Sequence, residues 1–204
     1  MARTSQKTTI LPGRGALPDQ ATALSANPNG GKPGLLFSEM VHLGKLNLRA
    51  DKSASKSVKS VTGCAFPPAP NKFSTAGERH VVWLGPDEFL VVCEAGKDEE
   101  LAGTLDNALG NQHCAVTNTT DALAAFRLKG AAVRQVLAKG CAIDLHPKSF
   151  APGDSAQTLL SQTAVTLLAL SESELIVICR TSFASYVHDW LYDAALEYGV
   201  KYTK

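Results

Sequence analysis

No run of apolar residues in the 204-residue sequence approaches the roughly 20 needed to cross a bilayer as a helix. Behind its charges the N-terminus, Met1-Ala2-Arg3-Thr4-Ser5-Gln6-Lys7, has no apolar core, so it does not read as a signal peptide. Paired cysteines are also missing. Cys64, Cys93, Cys114, Cys141 and Cys179 are odd in number and 21 to 38 residues apart, with no Cys-x-x-Cys pair to seed a zinc site. They read as reduced, mostly buried thiols of a cytoplasmic protein. Charge of one sign is not in excess, with 20 basic and 19 acidic residues, so the balance offers no footprint for nucleic acid. No glycine loop lies between a strand and a helix N-terminus. Gly13-Arg14-Gly15 and Gly30-Gly31-Lys32-Pro33 therefore read as flexible chain rather than phosphate cradles.

What is present begins with a charge asymmetry. Residues 1–60 hold nine Lys/Arg and three acids, a balance of +6, while residues 61–204 hold eleven and sixteen, a balance of −5. Residues 1–36 are rich in Pro, Gly, Ser, Thr and Asn, and Asn27–Gly34 suits neither a helix nor a central strand. Residues 1–43 are thus expected to form an extended basic arm that orders on a partner surface. Residues 44–204 are expected to form the folded body. Lys52–Ser60 reads as a polar stretch and Pro67-Pro68-Ala69-Pro70 as a breaker.

From His80 onward the pattern is regular. Val81–Leu84 and Phe89–Cys93 read as a hairpin about Gly85-Pro86-Asp87-Glu88. A helix follows with Asp98, Glu99 and Glu100 in its first turn and Gly110 at its end. Cys114–Thr117 and Ala124–Leu128 read as strands, Ala131–Lys139 as a short helix, and Gln157–Leu160, Ala164–Leu170 and Glu174–Cys179 as strands. The last helix starts near Thr181 or Ser182, either of which could cap it. Its stripe is Phe183, Val187, Trp190, Leu191, Ala194 and Tyr198, with Gly199 beyond. At an offset of 86 Leu84 matches Leu170, Glu88 matches Glu174, Val91 matches Val177 and Cys93 matches Cys179. The expected fold class is α+β: internally duplicated strand-turn-strand-helix units, about 80–130 and 131–204, around a mainly antiparallel sheet.

Candidates for chemistry are few. None of His42, His80, His113, His146 and His188 has a metal-motif partner, and His188, off the stripe of the last helix, reads as a surface or interface residue. Cys141, Asp144 and His146 offer a thiol, a carboxylate and an imidazole within six residues. Ala142–His146 alternates apolar and polar, and on a strand Asp144 and His146 would lie opposite Ile143 and Leu145, so nearness in sequence does not make a pair, and the segment reads as a turn packed near the sheet. Asn118-Thr119-Thr120-Asp121 are turn and cap formers.

Several segments resemble the gamma subunits of heterotetrameric sarcosine oxidases. They are Leu46-Asn47-Leu48-Arg49, Leu84–Leu90, Val136–Pro147 with Phe150, Pro152-Gly153 and Ala156-Gln157-Thr158, and Arg180–Tyr186 with Trp190-Leu191. The resemblance spans roughly residues 44–200 and leaves the arm outside. It implies a shortened relative of the folate-dependent aminomethyltransferase of glycine cleavage, whose fold is duplicated. It also implies a non-catalytic structural subunit, with no catalytic, cofactor-binding or metal-ligating residue of its own. By the same resemblance FAD, FMN and NAD would sit in the partner alpha and beta subunits and tetrahydrofolate on alpha, with a delta subunit as a further partner. Two other readings are carried forward: a residual folate pocket using Asp121 and Arg127, and an independent enzyme using Cys141 or His146.

Overall fold

The computed structural model describes residues 15–17, 25–28, 30–110 and 112–203. The first half of the body runs β3 (Gly44–Arg49), α1 (Ser55–Thr62), β4 (Phe73–Ala76), β5 (Arg79–Gly85), β6 (Glu88–Cys93), α2 (Asp98–Leu109) and β7 (Ala115–Asn118), after β1 (Ser25–Ala26) and β2 (Leu35–Glu39). The second half runs β8 (Leu123–Lys129), α3 (Val133–Ala138), β9 (Ser155–Leu160), β10 (Thr163–Ser171), β11 (Glu174–Arg180), α4 (Ala184–Ala195) and β12 (Val200–Tyr202).

Two sheets result, with orders β4-β5-β6-β3-β7 and β9-β10-β11-β8-β2-β12-β1. With β2 and β1 set aside, the second order repeats the first strand for strand. Even the irregularities repeat: the β5–β6 register shifts between Trp83 and Gly85, and β10–β11 between Ala169 and Ser171, again 86 apart. All pairings are antiparallel except β12–β2. The structure is therefore the expected duplicated α+β fold, but with two sheets. The units run from β3 to β7 and from β8 to β12, not 80–130 and 131–204. Only the hairpins preserve a readable repeat, so β8 looked like the close of one unit when it opens the next.

The layers follow from which faces are apolar. Leu46, Leu48, Val81, Val91 and Cys93 pack against Ala54 and Val58 and against Leu101, Leu105 and Leu109 of α2. In the second unit Phe126, Leu128, Leu167, Leu175 and Val177 pack against Val133, Val136 and Leu137 of α3 and Val187 and Leu191 of α4. The opposite faces meet each other, with Val82, Leu90 and Val92 against Ala125, Leu168, Ile176 and Ile178. The order is helix, sheet, sheet, helix. Strands β6 and β11 are covered on both faces, which is why they are unbroken apolar runs.

Three expectations give way here. The polar stretch Lys52–Ser60 lies mostly in α1: Asp51 accepts from Ser53 N–H (2.7 Å), Ala54, Val58 and Thr62 turn inward one helical step apart, and the lysines face solvent. Neither Thr181 nor Ser182 caps the last helix. The Thr181 hydroxyl donates to the Asp121 carbonyl (2.7 Å), and a 3₁₀ turn, Thr181–Phe183, leads into α4. His188 is 5% exposed, with ring centroids 5.5 Å from Phe37 and 4.6 Å from Tyr202. The strands beneath α4, β2 and β12, were not legible, so its buried face was assigned too narrowly.

The segment assigned to the arm is not all arm. Residues 1–14 and 18–24 lie outside the described residues, but Leu35–Glu39 is a central strand between β8 and β12. Leu35 and Phe37 are buried there. Glycines admit it. Gly130 has φ 140°, and a Cβ on it would overlap the Gly34 carbonyl, which accepts from Ala132 N–H (3.0 Å). Further back, the Glu39 carboxylate accepts from Ala16 N–H (2.5 Å), and Leu17 is buried in the same core. Leu35→Ala is therefore expected to cost about 2–5 kcal/mol in denaturant unfolding, as for a core leucine. A loss below about 0.5 kcal/mol, typical of surface sites, would return Leu35 to the arm.

Candidate functional site

Cys141, Asp144 and His146 come to lie in one irregular loop after α3. Only Cys141 makes a sheet-like bridge, to Leu160. The Asp144 carboxylate accepts from His146 N–H (2.9 Å) and the Ser149 hydroxyl (2.6 Å), and these bonds, Ser149 first, hold its pKa below the ordinary value. His146 Nδ1 accepts from Lys148 N–H (3.2 Å). The carboxylate thus shapes the turn instead of orienting an imidazole, and a nucleophile–base–orienter relay is not formed. Arg134 of α3 fastens this loop. Its Nη1 donates to the Leu145 and Phe150 carbonyls (2.6 and 2.8 Å), Nε to Glu172 (2.8 Å) and Nη2 to Ser171 (3.3 Å). One planar cation thereby joins the loop to the β10–β11 turn.

The Asn118–Asp121 turn is bonded over a longer range than turn chemistry alone suggests. Asn118 Nδ2 donates to Asp98 (2.7 Å) and Glu99 (2.6 Å) at the start of α2, while its Oδ1 accepts from Thr120 N–H (3.0 Å). Thr119 donates to the Lys45 carbonyl and Thr120 accepts from Lys45 N–H (2.9 and 3.0 Å). Lys45 is 2% exposed and its Nζ donates to the Leu43 carbonyl (2.6 Å). Burial pushes its pKa below the ordinary value, against the pull of Asp98, Asp121 and Glu39.

Asp121 and Arg127 do not share a pocket. Asp121 precedes β8 and Arg127 lies near its far end, about 20 Å along at strand rise. Arg127 Nε is ion-paired with Glu174 (2.5 Å).

The polar side chains that do converge lie at the two open ends of the sheet-on-sheet contact, in clefts of about 500 and 590 Å³. The first gathers His80, Arg127, Glu174 and Glu78 above Met40, Phe73 and Leu170. His80 Nδ1 pairs with the Thr75 hydroxyl (3.0 Å), and burial, then Arg127, lowers its pKa. In the second, Asn47 donates to Glu88 (2.8 Å) and Gln157 to the Leu84 carbonyl (2.8 Å). The sequence signal for these clefts was the repeat itself, which matched Leu84 with Leu170 and Glu88 with Glu174.

All five cysteines are free. Burial pushes the equivalent thiols Cys93 and Cys179 up to about 11, out of reach of thiolate chemistry at neutral pH. Among the described residues no group of three or more His, Cys, Asp or Glu could hold a metal, and no helix is long and apolar enough to cross a membrane.

Fold and site together define a duplicated α+β body of the aminomethyltransferase type. The glycine cleavage system aminomethyltransferase T of Bartonella henselae superposes with a TM-score of 0.62 at 12% identity, over 84% of this chain and 48% of that one. At that identity the likeness shows the fold alone, and this chain matches about half of the transferase. The chain belongs to the sarcosine oxidase gamma subunit family, whose profile matches residues 48–197. The sarcosine oxidase subunit gamma of Corynebacterium sp. strain U-96 is 31% identical over 183 residues, 87% of each chain. That of Corynebacterium sp. strain P-1 is 36% identical over 118 residues, 58% of this chain and 57% of the relative. A chain of the heterotetrameric sarcosine oxidase from Corynebacterium sp. U-96, solved in complex with pyrrole 2-carboxylate, superposes with a TM-score of 0.76 at 30% identity. That match covers 83% of this chain and 87% of the other.

Two substitutions probe the side chains described here. Arg134→Lys cannot reach four carbonyls at once, and a loss of roughly 2–4 kcal/mol is expected on denaturation. An unchanged midpoint would contradict the fastening role. Because the folded pKa of Lys45 lies below its unfolded value of 10.5, its charge penalises folding fully below the folded pKa. That penalty fades as pH rises through the folded pKa toward 10.5. The stability difference between Lys45→Met and the parent should therefore move against the variant as pH rises from about 7. A difference independent of pH would show that burial does not set this pKa.

Proposed function

We propose that the chain is the non-catalytic structural subunit of a heterotetrameric, cytoplasmic sarcosine oxidase. That enzyme oxidises the N-methyl group of sarcosine to give glycine, hydrogen peroxide and a one-carbon unit, as formaldehyde or methylene-tetrahydrofolate. FAD, FMN and NAD belong, in this reading, to the partner alpha and beta subunits and tetrahydrofolate to alpha, with a delta subunit as a further partner. Family membership supports the assignment, as does the 0.76 superposition on a chain of a heterotetrameric enzyme. The observation that carries the non-catalytic part is the use of Asp144, His146 and Arg134 to build one loop.

The surface supplies what docking needs. Leu36, Val41, Leu159, Phe183 and Leu196 are large apolar side chains left exposed. Lys52, Lys56 and Lys59 face solvent from α1 and its leading turn. The basic segment up to residue 14 continues from Gly15–Leu17, which the Glu39 carboxylate tethers to the body.

In the assembled complex, Cys141→Ala and His146→Ala are each expected to leave sarcosine turnover within about twofold of the parent, since loss of a general base or nucleophile costs 10²-fold or more. A hundredfold fall at either position, with assembly intact, would make this chain catalytic.

A further inference from the structure

The two clefts between the sheets are copies of one another that no longer carry the same chemistry. At the offset of 86, Leu84, Glu88 and Leu90 in the second cleft correspond to Leu170, Glu174 and Ile176 in the first. Strand register extends the match. Asn47 stands opposite Leu90 as Arg127 stands opposite Ile176, and Thr75 stands opposite His80 as Gln157 stands opposite Thr166.

In the second cleft two of the differing positions are neutral amides with partners. Gln157 reaches across to the Leu84 carbonyl and ties one sheet to the other, and Asn47 is held by Glu88. In the first cleft their counterparts are Thr75 and Arg127. Thr75 is too short to span the gap and bonds His80 instead. Arg127 commits Nε to Glu174, which holds the guanidinium in place. Its two terminal nitrogens, and His80 Nε2, donate to nothing among the described residues. His80 is 7% exposed, and its burial favours the neutral ring that can present one N–H. The result is a set of uncommitted donors above an apolar floor of Met40, Leu43, Phe73 and Leu170.

We propose that this first cleft is a binding site for a small organic monocarboxylate with an apolar body. The carboxylate is taken by the free fork of Arg127 and by His80 Nε2, in the paired geometry that guanidinium and carboxylate share. The apolar body lies on the floor, and about 500 Å³ suits a molecule of that size. Glu78 and Glu174 line the same cleft, so a second negative charge is opposed. The site therefore selects one carboxylate rather than two.

The test is a ¹⁹F NMR titration of the full chain with 4-fluorobenzoate as probe. Saturable binding is expected below about 1 mM, within reach of a ligand of ten heavy atoms. Arg127→Gln should weaken it at least about tenfold, the scale of one charge-assisted hydrogen bond, and Arg127→Lys by a smaller factor, because it keeps the charge and loses the fork. Asn47→Gln in the sister cleft should leave it unchanged. The methyl ester of the probe, and 4-fluorophthalate with its second carboxylate, should each bind at least about tenfold more weakly, by the same hydrogen-bond and charge arguments. The proposal is overturned by no saturation up to about 10 mM, an upper limit for any specific small ligand here. It is equally overturned by affinity indifferent to both Arg127 variants, or by equal binding of the ester or the dicarboxylate.

Discussion

The face-to-face contact of the two sheets governs the rest of this structure. A sheet has two faces, and in each unit helices cover only one. The other face is apolar as well, with Val82, Leu90 and Val92 in one unit and Leu168, Ile176 and Ile178 in the next. Neither unit could leave that face in water, so each covers the other. Duplication is thus a packing requirement for this sequence. The two clefts are where the twisted sheets part company, one at each end. The repeat departs from symmetry at two places in the sheets' shared order, where β2 enters between β8 and β12 and where β1 adds itself outside β12. The β2 insertion fixes residues near the N-terminus into the second unit's core and separates β8 from β12, whose counterparts β3 and β7 pair directly.

Much of the fold was legible where local chemistry and burial agree. The hairpins announced themselves through Gly85-Pro86-Asp87 and Ser171-Glu172-Ser173 between apolar runs, and α2 through its acidic first turn and Gly110. Elements were missed where tertiary contacts override composition. Helix α1 and its leading turn have only three inward positions among lysines and serines, and the helix is stabilised by packing on α2 rather than by its own pattern. Strand β2 sits beside a glycine- and proline-rich stretch that reads as unstructured, and only the glycine crossing at Gly34 and Gly130 reveals why it can be central. The burial of His188 depended on β2 and β12, so it could not be read before them.

The candidate site was legible in a different measure. Cys141, Asp144 and His146 are close in sequence, and the structure spends them on a turn held by Arg134, whose four carbonyl partners are 11 to 38 residues distant. Long-range partners of this kind leave no local signature. The converging groups of the first cleft come from both units, His80 from β5 and Arg127 from β8, and only the repeat hinted that these positions were equivalent. Family membership, by contrast, was carried by ordered matches along the chain and needed no site at all.

In the proposed function this chain holds a place in a larger flavin-bearing assembly. The most direct measurement is affinity purification of a tagged copy from the cell that encodes it, followed by an absorption spectrum of the eluate. A complex of this chain with other subunits and a flavin band is expected. A colourless eluate containing this chain alone would contradict it.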